Sequence, residues 1–451
     1  GFQYVLGEFG GSDFPASAAS FTGLTIDASM ILRLLFILFL ALPQLGNGQA
    51  LEDKVFVDHI LSVRMFPQGA GTESQLQSPV ISLTDSKSLV VLFDDLSYDP
   101  ELYTAKLVHC DADWKKSALK DTDFSLAFNE YNVLEYAYSV NTRMPYIRYS
   151  FTIPRVSKSG NYLLKVYKNR DENAVIFTRR FMIVENLAAV GAQLVPPVQT
   201  EDRRALQQIN ATVNYSNLEV IDPLAQVKVY MRQNQRWDNV KFLSKPTFLN
   251  QNSKLIRYEP FEGESTFRAG NEFRFLDLRF IRATGVNVAS IKVEESLISA
   301  EARVDLPRPG GAYAQYLDLN GQYVVQTNDR PGGDPEVESE YIYTTFYLND
   351  APGKTIKLMG ALSQWGKAPE ATLVYDAKKQ VYSTSLLLKQ GWYDYQYATD
   401  LGGGKFDLEP LEGSYFQTEN EYEILVYYRA LGSRYDQLVG YVYLQPNRRR
   451  L

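Results

Sequence analysis

Short β-type runs recur along most of this chain, and they constrain its fold more than any other feature. KVFVDHILSV at 54–63, SLVVLF at 88–93, AKLVHC at 105–110, YIRYSFTI at 146–153, NYLLKVYK at 161–168 and AVIFTRRFMIV at 174–184 are rich in Val, Ile, Tyr and Phe and bounded by Gly, Pro, Asn, Asp or Ser. Such side chains suit a pleated, half-buried surface, and the bounding residues turn the chain. Tyr149 and Phe151 alternate with Arg148 and Ser150, a period near two with one wet face, as in antiparallel sheet. Helical periodicity is scarce. Its clearest candidate, around 201–209, could equally be a loop entering the strand INATVNY at 209–215.

Breaks in this pattern set the expected domains. Roughly 400 residues of this character suggest two to four units, each able to bury its own core. A first β-sandwich is expected over 50–185 and a second over 205–306, the latter including AQVKVYMR, NEFRFLDLRF and the run from Ala300 to Leu306. A Pro/Gly-rich linker over 307–338 holds Asn320-Gly321 between two short apolar runs, a hairpin signal. A third sandwich over 339–445 takes EYIYTTFYLND, KLMGALSQWG, QVYSTSLLL, WYDYQYATD and YEILVYYR. The expected fold class is all-β, with three tandem immunoglobulin-like sandwich domains.

The beginning of the chain is of another kind. From Met30 it reads MILRLLFILFLALPQLGNGQA, with Arg33, an apolar run from Leu34 to Leu42, Pro43, and small residues at Gly46 and Gly48. That is the pattern of a secretory signal peptide over 30–48, cleaved ahead of Gln49. The run is far shorter than the ~20 residues of a membrane span, so no helical anchor is expected after processing. Residues 1–29 precede this initiator and are expected to be a non-native leader. The only cysteine is Cys110, which leaves no internal disulfide and no lipid anchor at the cleavage site. The formal charge is −7, whereas a nucleic-acid partner calls for clustered Lys and Arg.

A search for chemistry finds little. His59 and His109 each fall in an apolar β run, where a hydrogen-bonded sheet histidine is expected. His109 stands beside Cys110, but strand neighbours face opposite ways and do not share a proton. Asp111, Asp113, Asp121 and Asp123 could offer oxygens to calcium, yet DADWKKSALKDTD lacks the glycine and closing glutamate of an EF-hand. A solvated acidic loop is expected there. Gly402, Gly403 and Gly404 make a hairpin tip, since no Lys-Ser/Thr or helix follows. Asp94 with Asp95 and Arg179 with Arg180 are expected as exposed charge. The chain is therefore expected to be no enzyme and to use no cofactor, metal or small-molecule substrate.

Two stretches resemble known families. MGALSQW, a decorated hairpin, then LLLKQGWYDYQYATD is similar to the immunoglobulin-like carbohydrate-binding modules of starch- and glycogen-active enzymes. In that reading Trp365 and Trp392 would stack on sugar rings. The competing expectation seats both at the edge of a sandwich core, followed by the alternating Tyr393, Tyr395 and Tyr397. More of the chain is covered by LVHCDADW at 107–114, SGNYLLKVYK at 159–168, GNEFRFLDLR at 270–279, DLNGQYVV at 318–325, EYIYTTFYLND at 340–350 and EGSYFQTENEYEILVYYRALGSRYDQLVGY at 412–441. These blocks resemble the type IX secretion system plug protein family of Bacteroidetes. The resemblance implies a periplasmic protein, peripheral to the outer membrane, whose partner is the outer-membrane translocon channel and which closes that pore between cargoes. A carbohydrate-binding accessory protein is the alternative.

Overall fold

The computed structural model describes residues 51–446 apart from 70, 98 and 262; the expected leader and signal peptide lie outside the described residues. The all-β expectation holds: among the described residues the strands form six sheets, nearly all pairings are antiparallel, and each helix is five residues or fewer. The sheets pair into three sandwiches, each around its own apolar core.

In the first sandwich one sheet runs Lys54–Val55, Val175–Val184, Gly160–Lys168, Tyr103–Cys110, Tyr131–Val133, with Val80–Ser82 added in parallel to Val175–Val184. The facing sheet runs Ile60–Pro67, Leu89–Asp95, Ile147–Thr152, Glu135–Tyr138. Alternation builds the core between them. Phe93 lies opposite Tyr149 in the ladder and stacks on it at 5.0 Å, while Tyr103 and Phe177 meet Phe93 edge-on. Burial of each large apolar side chain contributes about 1.5–3 kcal/mol. The run at 54–63 is not one strand: it turns at Asp58 and His59, so Lys54–Val55 edges one sheet and Ile60–Pro67 the other.

Strand pairing does not follow the expected order of the second and third domains. The second sandwich joins Ala189–Val195, Leu206–Asn214, Leu255–Tyr258, Phe248–Asn250 and Thr266–Arg268 to a sheet ordered Lys241–Leu243, Val227–Gln233, Tyr422–Tyr428, Gln437–Leu444. The C-terminal hairpin, expected in the third domain, thus completes the second. The reason lies in Tyr422–Tyr428, which is buried at every position. Tyr422, Ile424, Val426 and Tyr428 enter the second core, while Leu425 and Tyr427 pack on Cys110, Trp114, Leu163 and Met182 of the first sandwich. A strand apolar on both faces needs cover on both, and this position supplies it.

The third sandwich is consequently an insertion. It pairs Arg274–Asp277, Gly391–Gly402 and Tyr323–Val325, with Ile356–Met359 and Lys405–Asp407, against Val288–Val293, Ile298–Ala302, Tyr341–Leu348, Val381–Lys389, Val374–Asp376. NEFRFLDLRF and the run after Ala300, expected in the second domain, belong here. The hairpin expected about Asn320 and Gly321 forms only its turn. Both have positive φ, 51° and 80°, and Gln322 N–H donates to Leu319 O at 3.0 Å. No strand precedes the turn, because Leu319 N–H donates instead to the Asp394 carboxylate. The helix candidate at 201–209 is a 3-10 turn, Glu201–Arg204, leading into Leu206–Asn214.

Candidate functional site

The chemistry-bearing side chains gather where the three sandwiches meet. Between the first and third, Lys389 donates to the Asp94 carboxylate at 2.5 Å and to Glu336 O at 2.7 Å, with its ammonium 4.2 Å from the Tyr146 ring centre. The Tyr341 hydroxyl donates to the same carboxylate at 2.7 Å. Arg64 holds Glu336 through both terminal nitrogens, at 3.1 and 2.5 Å, and Gln75 at 2.8 Å. Glu336 is placed by a single helical turn, Pro335–Glu338, whose N-cap Asp334 accepts its backbone N–H at 2.9 Å. Burial pushes Asp94 up and Lys389 down, each towards its neutral form. Glu336 stays low despite burial, because Arg64 and Lys389 stand beside it. Such a buried polar cluster holds two bodies in one register, since any slip leaves charge unpaired in low dielectric.

The first and second sandwiches meet through an apolar face ringed by charge. The Arg180 guanidinium sits over Trp114 at 4.6 Å and Trp237 at 5.2 Å, and those rings meet edge-on at 4.8 Å. Arg232 bonds Glu423 at 2.6 Å and reaches Ser78 of the first sandwich at 2.8 Å. Asp436 collects Lys228 at 3.0 Å, Arg429 at 2.7 Å and Ala112 N–H at 3.0 Å; these donors keep it low against its burial.

At the three-way junction lies a cavity of about 190 Å³, lined by Arg64 and Arg179–Arg180 of the first sandwich, Arg232 and Trp237 of the second, and Trp365 of the third. Beside it, against Phe273 and the Asn320–Gly321 turn, the buried Asp394 and Glu272 and the half-buried Asp318 form an acidic group. Burial raises all three, Asp394 to about 7.

A different surface is offered by the first sandwich. Glu135–Tyr138 is the edge strand of its four-stranded sheet, and Tyr136 and Tyr138 are exposed on it with ring centres 5.9 Å apart. Leu126, Phe128 and Leu134, at 69%, 79% and 71% exposure, extend the apolar surface of the same segment. An edge presents unpaired backbone N–H and C=O groups, and apolar side chains along it make it a site for pairing with another chain.

The sequence candidates fall out as follows. Trp392 stacks on Phe275 at 4.5 Å, lies near the Arg279 guanidinium and donates to Asp394 at 3.1 Å. Trp365 meets Phe273 edge-on and the Arg236 guanidinium at 4.9 Å. Trp365 lines the junction cavity and Trp392 does not. His109 is the buried sheet histidine expected, bonded to Ser117 Oγ at 2.9 Å and Ser159 O at 3.0 Å. His59 is not: it is exposed in the turn before Ile60. The four aspartates disperse, Asp111 to Arg429, Asp113 to Lys115, Asp121 towards Lys106 and Asp123 to Arg434. Gly402–Gly404 form the expected hairpin tip, all with positive φ. Asp94 and Asp95, expected as exposed charge, are buried at 1% and 0%, because they face Lys389 of the third sandwich and Tyr103 of their own. Sequence reasoning passed over Arg64, Glu336 and Lys389. The signal was a lone cation inside an apolar run, in ILSVRMFP and again in STSLLLK.

Residues 60–185, which span the first sandwich apart from its Lys54–Val55 strand and include its exposed edge, match the family model described as Type 9 secretion system plug protein 1st domain. That match bears out the resemblance over this sandwich and supports a role related to type IX secretion. Among solved structures, the chain is similar to a hypothetical protein from Parabacteroides merdae, at 27% identity and a TM-score of 0.82, over 88% of this chain and 99% of that one. No curated protein matches the chain.

Proposed function

We propose that the chain is a non-enzymatic, periplasmic component of the type IX secretion system that plugs the periplasmic end of the outer-membrane translocon pore. The observation that carries this reading is the plug-family match over residues 60–185. Physical features support it. A pore wide enough for folded cargo needs a stopper that is broad and preformed, so that seating it orders few new groups. Three sandwiches locked together by a buried ion cluster on one side and a shared apolar face on the other meet that need. The edge Glu135–Tyr138, with Tyr136 and Tyr138, supplies a seat for an extended segment of the channel, paired through the backbone and selected by aromatic pockets. The carbohydrate-binding alternative loses support from the geometry of the two tryptophans, since Phe275 covers a face of Trp392 and Arg236 packs on Trp365.

The test is affinity purification of the tagged, processed chain from its own envelope. The translocon channel is expected among the co-purifying proteins. Tyr136→Ser with Tyr138→Ser is expected to reduce its recovery without loosening the fold. Absence of the channel at full yield of the tagged protein contradicts the assignment.

A further inference from the structure

We infer that the junction cavity is a binding site for a monoanionic carboxylate, held by Arg179 on a wall it shares with Arg180, Trp237 and Trp365. Most of the charges on its wall are paired. Arg64 is matched by Glu336, Arg232 by Glu423, Asp238 by Arg236 and Lys367 by Glu52. Arg179 and Arg180 remain, and among the described residues neither forms an ion pair with a carboxylate. Arg179 donates only to carbonyls, Thr178 O at 3.1 Å and Val63 O at 3.3 Å. Arg180 donates from its side chain to Leu51 O. The remaining carboxylate on the wall, Asp53, accepts the Arg180 backbone N–H at 2.6 Å. Two guanidinium ions against one carboxylate leave one positive charge over.

A cation drawn half out of water without its counter-ion is costly; both arginines are half-buried, and desolvation lowers the pKa of each from the usual value. A second, independent observation comes from Arg64. It lines the same cavity at 8% exposure, and its Nε is a buried donor with no partner. The backbone also opens here. Val175–Val184 is edged by Lys54–Val55 up to Thr178 and by Val80–Ser82 from Met182, so Arg179–Phe181 lie in the gap between two edge strands. The planar guanidinium fork matches a carboxylate in shape and charge. A cavity of about 190 Å³ is many times the roughly 10–15 Å³ that one water needs, so a carboxylate with a short organic body fits. Because all three sandwiches contribute to the wall, the ligand would stabilise their mutual arrangement. A free organic acid and the C-terminal carboxylate of a peptide share this chemistry.

The experiment uses the processed chain with benzoate, neutral benzamide as its isostere, and a short neutral peptide with a free or amidated C-terminus, all at constant ionic strength. Calorimetry and tryptophan fluorescence read binding. Saturable one-to-one binding of benzoate, at least tenfold tighter than benzamide, is expected, together with a rise in melting temperature with ligand concentration. Preference for the free-ended peptide over its amide assigns a chain terminus as the source, and benzoate binding alone assigns a small acid. Arg179→Gln is expected to weaken binding at least tenfold, while Arg282→Gln, outside the cavity, leaves it unchanged. The wild-type comparison of benzoate with benzamide decides the matter even where Arg179→Gln fails to fold. Equal binding of the two, or no saturation by any carboxylate, overturns the site. None of these outcomes bears on whether the chain plugs a pore.

Discussion

Replacing Lys389 by methionine keeps most of the apolar stem and removes the ammonium from the junction of the first and third sandwiches. The loss can be worked from its contacts. The ammonium and the Asp94 carboxylate are both fully buried, at 0% and 1% side-chain exposure, so solvent does not screen their 2.5 Å contact. Without Lys389 the carboxylate keeps the Tyr341 hydroxyl at 2.7 Å, but its charge is uncompensated, and Glu336 O loses a 2.7 Å donor. Breaking a buried pair from one side costs about 3–5 kcal/mol. Protonation of Asp94 offsets part of this, at about 1.4 kcal/mol for each unit by which its folded pKa exceeds the unfolded value. Burial raises that pKa, so the loss is greatest at high pH and shrinks as pH falls towards the unfolded value near 4. Urea unfolding followed by tryptophan fluorescence at pH 8 and pH 5.5 measures both effects. The expected result is a loss of about 3–5 kcal/mol at pH 8, smaller at pH 5.5, and largely recovered when Asp94→Leu is combined with Lys389→Met. A loss below about 1 kcal/mol at pH 8, the range of exposed pairs, or a double variant as unstable as the single one, refutes the reasoning.

Three further outcomes are expected. Gly321→Ala forces φ of 80° on a residue with a Cβ and drives that atom into the Phe273 and Trp365 rings, a loss of about 1–3 kcal/mol by thermal melting; Gly402→Ala, with the same φ and open space around it, should lose less. Asp394 has a folded pKa raised by burial to about 7, so its contribution is fully present below about 4 and lost as pH rises through 7. Asp394→Asn should therefore flatten the decline in melting temperature between pH 5 and pH 8, where Asp318, Glu272 and Glu419 face the same site, and an unchanged slope would show the carboxyl is ionised throughout. His109→Ala should cost about 1–3 kcal/mol by leaving buried partners unsatisfied, whereas His59→Ala, in an exposed turn, should stay within about 0.5 kcal/mol.

What the chain told in advance depended on how local the determinant was. Alternation in YIRYSFTI names its own inward face, and Tyr149 and Phe151 are buried as that pattern requires. Which sandwich a strand joins is a different matter. YEILVYY reads as an apolar strand wherever it sits, and its two buried faces belong to two bodies that meet only in the folded chain. The same limit governs the site. Asp94 and Arg179 carry the marks of surface charge in a one-dimensional reading, and only the approach of another sandwich buries Asp94 against Lys389 or sets Arg179 beside Trp365 in one cavity. Lone cations in apolar strands, Arg64 and Lys389, were the visible trace of that approach. The Asn320-Gly321 turn was legible too, but the Asp394 carboxylate takes the backbone N–H that a hairpin partner would have used.

The central claim concerns a seal, and a leak tests it most directly. In the source organism, with the gene for this chain deleted, entry of a large antibiotic that the outer membrane normally excludes is measured as growth inhibition, alone and together with deletion of the translocon channel. Plugging predicts heightened sensitivity in the single deletion, return to the parental level when the channel is also absent, and rescue by the processed chain. Unchanged sensitivity in the single deletion, or sensitivity that persists without the channel, contradicts it.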